Sequence, residues 1–133
     1  TTILERSHFW KPYFIGNSRT EFIKVDVFYT DPFHFPLLIR YDIRLAALED
    51  LIIMKLAIIT SDQGARKKDF WDLHELLNRY TMESMIALFR EYSFSTLSFA
   101  EILNKLTDFR RADDDFTPRC LKGKYLGADQ TGF

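Results

Sequence analysis

Apolar and polar positions change rhythm once along this chain. In the first third they alternate in short runs. Ile23, Val25, Val27 and Tyr29 point one way, while Phe22, Lys24, Asp26 and Phe28 point the other, the two-residue period of a strand. The run His8 to Ile15 is aromatic and β-like as well, and Gly16-Asn17-Ser18 between the two runs is a turn signal, so a hairpin is predicted. Asp31-Pro32 and Phe35-Pro36 then break the chain, and Leu37 to Ile43 reads as one short strand. From Leu48 the spacing becomes helical. Leu48 to Thr60 is apolar nearly all the way round, which predicts a helix buried on most sides. A second helix starts near Arg66 with Phe70, Leu73, Leu76 and Leu77 on its stripe. Thr81 reads as the N-cap of a third, carrying Met85, Ile86, Leu88 and Phe89. A fourth, Ser95 to Leu106, carries Phe99, Ile102, Leu103 and Leu106.

The predicted class is α+β: a small antiparallel β piece followed by an antiparallel helical bundle, in one domain spanning 1–133. The tail 110–133, with Asp113-Asp114-Asp115, Pro118 and three glycines, is expected to be loosely ordered. A lone hairpin is marginal in water, so the β piece must lie on the helices, pair with further sequence, or pair with a second copy in a homodimer.

Composition narrows the chemistry. The 133 residues are 47% hydrophobic and 28% charged, enough for an ordinary globular core, with 13 Phe, 6 Tyr and 2 Trp. A net charge of −1 gives no global pull towards nucleic acid, so any polyanion must be held by a local patch. The single cysteine, Cys120, excludes an internal disulfide, and no Cys/His spacing suits zinc. No segment reads as a signal peptide, and the longest apolar run, Leu51 to Ile59, is interrupted by Lys55 and too short to span a bilayer. The expected compartment is the cytoplasm, with no membrane partner. No glycine-rich phosphate loop and no serine or cysteine with a recognisable base partner is present, which excludes P-loop and triad chemistry.

Three features could carry chemistry. Lys55 is the only charge in Leu51 to Ile59; it either snorkels from an exposed strip or is held by its packed neighbours to meet a phosphate. Asp69 and Asp72, three residues apart, share one face of a helix entered through Arg66-Lys67-Lys68. Acids in a first turn also complement the helix dipole, and such a start is commonly a solvated, ion-paired one. Asp26, on a strand and away from its aliphatic neighbours, could offer oxygen to a divalent cation or simply face solvent. His8, His34 and His74 show no ligand spacing.

In order, these pieces resemble one family. Lys24-Val25-Asp26-Val27-Phe28, a Pro-containing loop, and Arg44-Leu45-Ala46-Ala47-Leu48-Glu49-Asp50 leading into Met54-Lys55-Leu56 are similar to AbiEii-type nucleotidyltransferases, toxins of bacterial abortive-infection and type IV toxin–antitoxin systems. Lys67-Lys68-Asp69-Phe70-Trp71-Asp72-Leu73 and Leu106-Thr107-Asp108-Phe109-Arg110-Arg111-Ala112-Asp113 match its later segments. The resemblance implies the C-terminal part of a nucleotidyltransferase, the β piece being part of its sheet. It implies Lys55, Asp69 and Asp72 as catalytic residues, Lys55, Lys67 and Lys68 as nucleotide-binding ones, and Asp26 as a ligand of Mg2+. The implied reaction transfers a nucleotide from a nucleoside triphosphate to an RNA, such as tRNA, or to a protein, with a cognate antitoxin as a further partner.

One departure stands out. The family's first motif, a Gly-Gly or Gly-Ser turn followed by an acid-x-acid pair, should precede all of these segments, and Gly16-Asn17 with Glu21 and Asp26 fits neither its residues nor its spacing. The expectation is a truncated or degenerate member that transfers no nucleotide alone. The alternative is a non-catalytic module in which Lys24, Lys55 and Arg66-Lys67-Lys68 hold RNA or an antitoxin.

Overall fold

The computed structural model describes residues 10–113 and 115 and divides the chain into two units, Thr1–Phe33 and His34–Phe133. The first is a hairpin. Strand β1 (Trp10–Gly16) pairs antiparallel with β2 (Phe22–Phe28), Trp10 opposite Phe28 and Gly16 opposite Phe22. The predicted hairpin is present with shifted ends; His8, on its expected first strand, lies outside the described residues. Its turn closes through Asn17 N–H to Glu21 O at 3.1 Å, and the Ser18 hydroxyl accepts the Glu21 N–H at 3.0 Å. Gly16 is required there, because a Cβ would lie 2.0 Å from the Glu21 carbonyl oxygen. The register gives the hairpin two unlike faces. Trp10, Phe14, Phe22 and Phe28 share one with Lys24 and Asp26, whereas Tyr13, Ile15, Ile23, Val25 and Val27 share the other with Lys11.

The second unit opens with β3 (Leu38–Arg40) and β4 (Ile43–Leu45), a second antiparallel pair. The single strand expected over Leu37 to Ile43 is thus folded in two. Tyr41 and Asp42 both have positive φ, 51° and 61°, which gives the tight left-handed two-residue turn that matches strand twist.

Among the described residues four helices follow: α1 (Leu48–Thr60), α2 (Lys67–Leu76), α3 (Met82–Tyr92) and α4 (Phe99–Leu106). The α+β class predicted from the sequence is the class observed. Helix α1 packs against α2, α3 and α4, and α3 against α4. Ile52, Leu56, Met85, Ile86, Ile102 and Leu106 are fully buried at that junction. Only one side of α1 is covered, however. Leu51 and Ile58 remain 43% and 46% exposed, so its all-round apolarity does not mean burial on most sides. Helix α3 begins where its cap was predicted, the Thr81 hydroxyl accepting the Ser84 N–H at 3.1 Å. Helix α4 begins later than expected, at Phe99, because Ser98 and Glu101 form a reciprocal capping box.

After α4 the chain turns back. Phe109 meets Phe70 edge-on with ring centroids 4.9 Å apart, and Ala112 is buried. The Phe109 ring and the Ala112 methyl thus hold the chain on the bundle; 114 and 116–133, most of the tail expected to be loosely ordered, lie outside the described residues. Among the described residues no helix is long and apolar enough to cross a membrane.

Candidate functional site

Lys55 lies midway along α1, on the boundary between the packed side of that helix and its open one. Its ammonium is 2.9 Å from Asp69 Oδ1 and 2.8 Å from Asp72 Oδ2. Of the two sequence readings of this lysine, snorkelling into open water is the one the geometry does not show: its side chain is 20% exposed and its charge is met. Burial pulls the ammonium's pKa down, but hydrogen bonds and charge from Asp72 and Asp69 outweigh it, so the pKa lies above the ordinary 10.5.

The two carboxylates differ in kind. Asp69 stands at the third position of α2 and is 3% exposed. Its Oδ1 faces Lys55, and its Oδ2 accepts the Arg66 backbone N–H at 2.9 Å. One buried side chain therefore caps the start of α2 and ties it to α1. Asp72, one turn on, has a 59% exposed side chain. The spacing of three that puts both acids on one helix face is what lets them meet the same lysine.

Beside this trio lies a groove of about 620 Å³ along the open side of α1. Leu48, Leu51, Met54, Ile58 and Leu76 line it, with Lys55, Asp72, Glu75 and Arg79 supplying charge. Its size and its mixture of an apolar floor with a few polar groups suit a small-molecule site.

The other residues singled out from the sequence lie elsewhere. Lys67 is half-buried and Lys68 exposed in the first turn of α2. Asp26 belongs to the hairpin unit, where its carboxylate is 3.2 Å from the Lys24 ammonium. That pairing agrees with the strand period that places both on one face. Among the described residues no group of three or more His, Cys, Asp or Glu side chains could hold a metal ion.

Sequence reasoning missed three positioning residues. Asp50, 2% exposed, accepts the His34 and Phe35 N–H groups on its two oxygens, at 2.9 and 3.0 Å. It thereby fixes the loop whose His34 and Phe35 rings lie against Tyr92. The available signal was ambiguous, since an acid in a first turn reads as complementing the helix dipole. Asp115 Oδ2 accepts the Lys67 N–H at 3.1 Å and lies 3.4 Å from Arg66 Nε, so it caps α2 from 48 residues away. Arg111 donates from Nη1 to the Asp62 carbonyl at 2.8 Å and packs on Gly64, whose φ is +77°. Pairings this distant leave no local pattern.

Among the described residues, two hairpins followed by four helices, with a lysine fixed between two aspartates at a groove, define an α+β protein with a compact charged site in its helical unit. The sequence matches the nucleotidyl transferase AbiEii toxins of type IV toxin–antitoxin systems over residues 6–119. The chain belongs to that family, a family of nucleotidyltransferase-type toxins. No curated protein and no solved structure matches it.

Proposed function

We propose that Lys55 receives the phosphates of a nucleoside triphosphate, and that the chain serves as the phosphate-binding part of a toxin transferring a nucleotide to an RNA, such as tRNA, or to a protein hydroxyl. The observation that carries this reading is the Lys55 ammonium held at 2.8–2.9 Å by Asp69 and Asp72 on the rim of the 620 Å³ groove. Asp69 fixes the lysine's direction, the groove offers apolar surface to the nucleoside, and Lys67 and Lys68 add positive charge at the start of α2. Asp72 is the solvent-facing acid of the site.

Magnesium belongs to the same proposal, with Asp26 supplying one hard oxygen ligand. Asp26 has Lys24 beside it, and the described residues do not bring together a set of carboxylates that would complete a cation site. The chemistry assigned to this chain's own residues is accordingly the binding and orientation of phosphate. The positive charge of Lys55 and of Arg66-Lys67-Lys68 at the start of α2 also supports a second reading, a non-catalytic module that holds RNA or a cognate antitoxin. In either reading the setting is the bacterial cytoplasm, and a homodimer through the β piece is part of the proposal.

Labelled nucleoside triphosphate incubated with tRNA, magnesium and the 133-residue chain decides between the readings. The expected outcome is retained triphosphate binding, lost in Lys55→Met, with the tRNA left unlabelled. Robust labelling would show that the metal ligands have been misplaced; equal binding by Lys55→Met would remove Lys55 from the site.

A further inference from the structure

We infer that Asp72 occupies the place of a phosphate on Lys55 and must swing away before an anion binds, while Asp69 stays as the fixed partner. The inference rests on the reading of Lys55 as a phosphate-binding lysine. It follows from how differently the two carboxylates are held. Asp69 is 3% exposed and both of its oxygens are engaged, one by the lysine and one by the Arg66 N–H. Moving it would break the bond to the Arg66 N–H and leave the largely covered Lys55 ammonium without its inner partner, each of which is costly. Asp72 has a 59% exposed side chain, and its 2.8 Å contact with Lys55 is a pair on the solvent side. Rotating it into water gives up an interaction of the weak, exposed kind.

The geometry leaves a phosphate little choice of approach. The inner side of the Lys55 ammonium is taken by Asp69, and the side chain as a whole is 20% exposed. Asp72 Oδ2 lies on the solvent side of the ammonium, where an incoming anion meets its like charge before it can reach the remaining N–H donor. With both acids in place, one ammonium faces two carboxylates, and the trio carries a formal charge of −1 that repels anions. With Asp72 turned out, the Lys55–Asp69 pair is neutral.

A ligand must therefore compete with a carboxylate for the lysine, which selects by charge. Orthophosphate and single phosphate groups compete poorly, whereas the several charges of a triphosphate chain outweigh one aspartate. Asp72 thus acts as a built-in counter-ion that keeps the site closed to weak anions. A polyphosphate opens it.

The test is calorimetric titration of the whole chain with inorganic tripolyphosphate and, separately, with orthophosphate. Asp72→Asn keeps the side chain's shape but removes its charge, and at 59% exposure it is expected to leave the unfolding midpoint unchanged. It should bind tripolyphosphate about fivefold more tightly than the parent and should narrow the preference for tripolyphosphate over orthophosphate. Lys55→Met should lose both ligands. If Lys55→Met loses binding but Asp72→Asn binds no better than the parent, Lys55 holds phosphate and the displacement of Asp72 is overturned. If Lys55→Met binds as the parent does, or if none of the proteins binds, the reading of Lys55 falls and the inference falls with it.

Discussion

A carboxylate with two duties is harder to replace than one with a single duty, and at the residue scale this separates Asp69 from Asp72. Asp69→Ala removes the partner of Lys55 and the cap of α2 together and should cost about 2–4 kcal/mol in urea unfolding, against less than about 1 kcal/mol for Asp72→Ala. Equal costs would mean that burial does not distinguish them. Lys55 also predicts a response to pH. Its folded pKa is raised above 10.5, so its contribution is fully present below that value and is lost as pH rises through the higher folded one. Tyr80, pushed above its usual 10.0 by burial and by Glu49, weakens the fold over a neighbouring alkaline range in the same direction. Comparing the parent with Lys55→Met isolates the lysine: the stability gap between them should shrink above about pH 10.5. A gap that stays constant to pH 12 would disprove the coupling. The suspicion that Lys55 is special was legible in the sequence, because one charge in a nine-residue apolar run demands a partner. The double role of Asp69 was not, since its bond to the Arg66 N–H depends on where the backbone of α2 begins.

Elements were legible where local chemistry decides them. Thr81 caps α3 as its side chain and position suggest, and Thr81→Ala should lower stability by about 1 kcal/mol. The β3–β4 turn was not legible, because Tyr41-Asp42 lacks the Gly or Asn that usually marks positive φ. Tyr41 is 97% exposed at φ 51°, so it bears the cost of a left-handed backbone with little packing in return. Tyr41→Gly should therefore raise stability by about 0.5–1 kcal/mol in thermal or urea unfolding. A loss of stability there would show that the Tyr41 ring makes contacts worth more than the backbone strain. The extent of α1's burial was misjudged for a related reason. Apolar residues all round a helix do not reveal which of them a neighbour covers; Leu51 and Ile58 line the groove beside Lys55 and not a packed interior.

At the scale of the molecule, the hairpin unit shows apolar side chains on both faces, with Phe14 at 63% and Ile23 at 72% exposure. Two strands that pair only with each other among the described residues, and that carry such faces, are adhesive. Light scattering at micromolar concentration should find a species larger than 15.8 kDa, and Ile23→Lys should shift it towards that mass. A parent that is already a monodisperse monomer would refute assembly through the hairpin. In the helical unit, the loop between α1 and α2 is clasped from far along the chain, by Arg111 on the Asp62 carbonyl and by Asp115 on the Lys67 N–H. That clasp has a bearing on biosynthesis. A ribosome delivers residues 62 to 67 long before residues 111 to 115, so the first turn of α2 leaves the exit tunnel without its distant cap. The turn that leads into Asp69 is thus completed only after residues 111 to 115 have been made. A nascent chain therefore carries Asp69 on an unclasped turn until residues 111 to 115 have followed it.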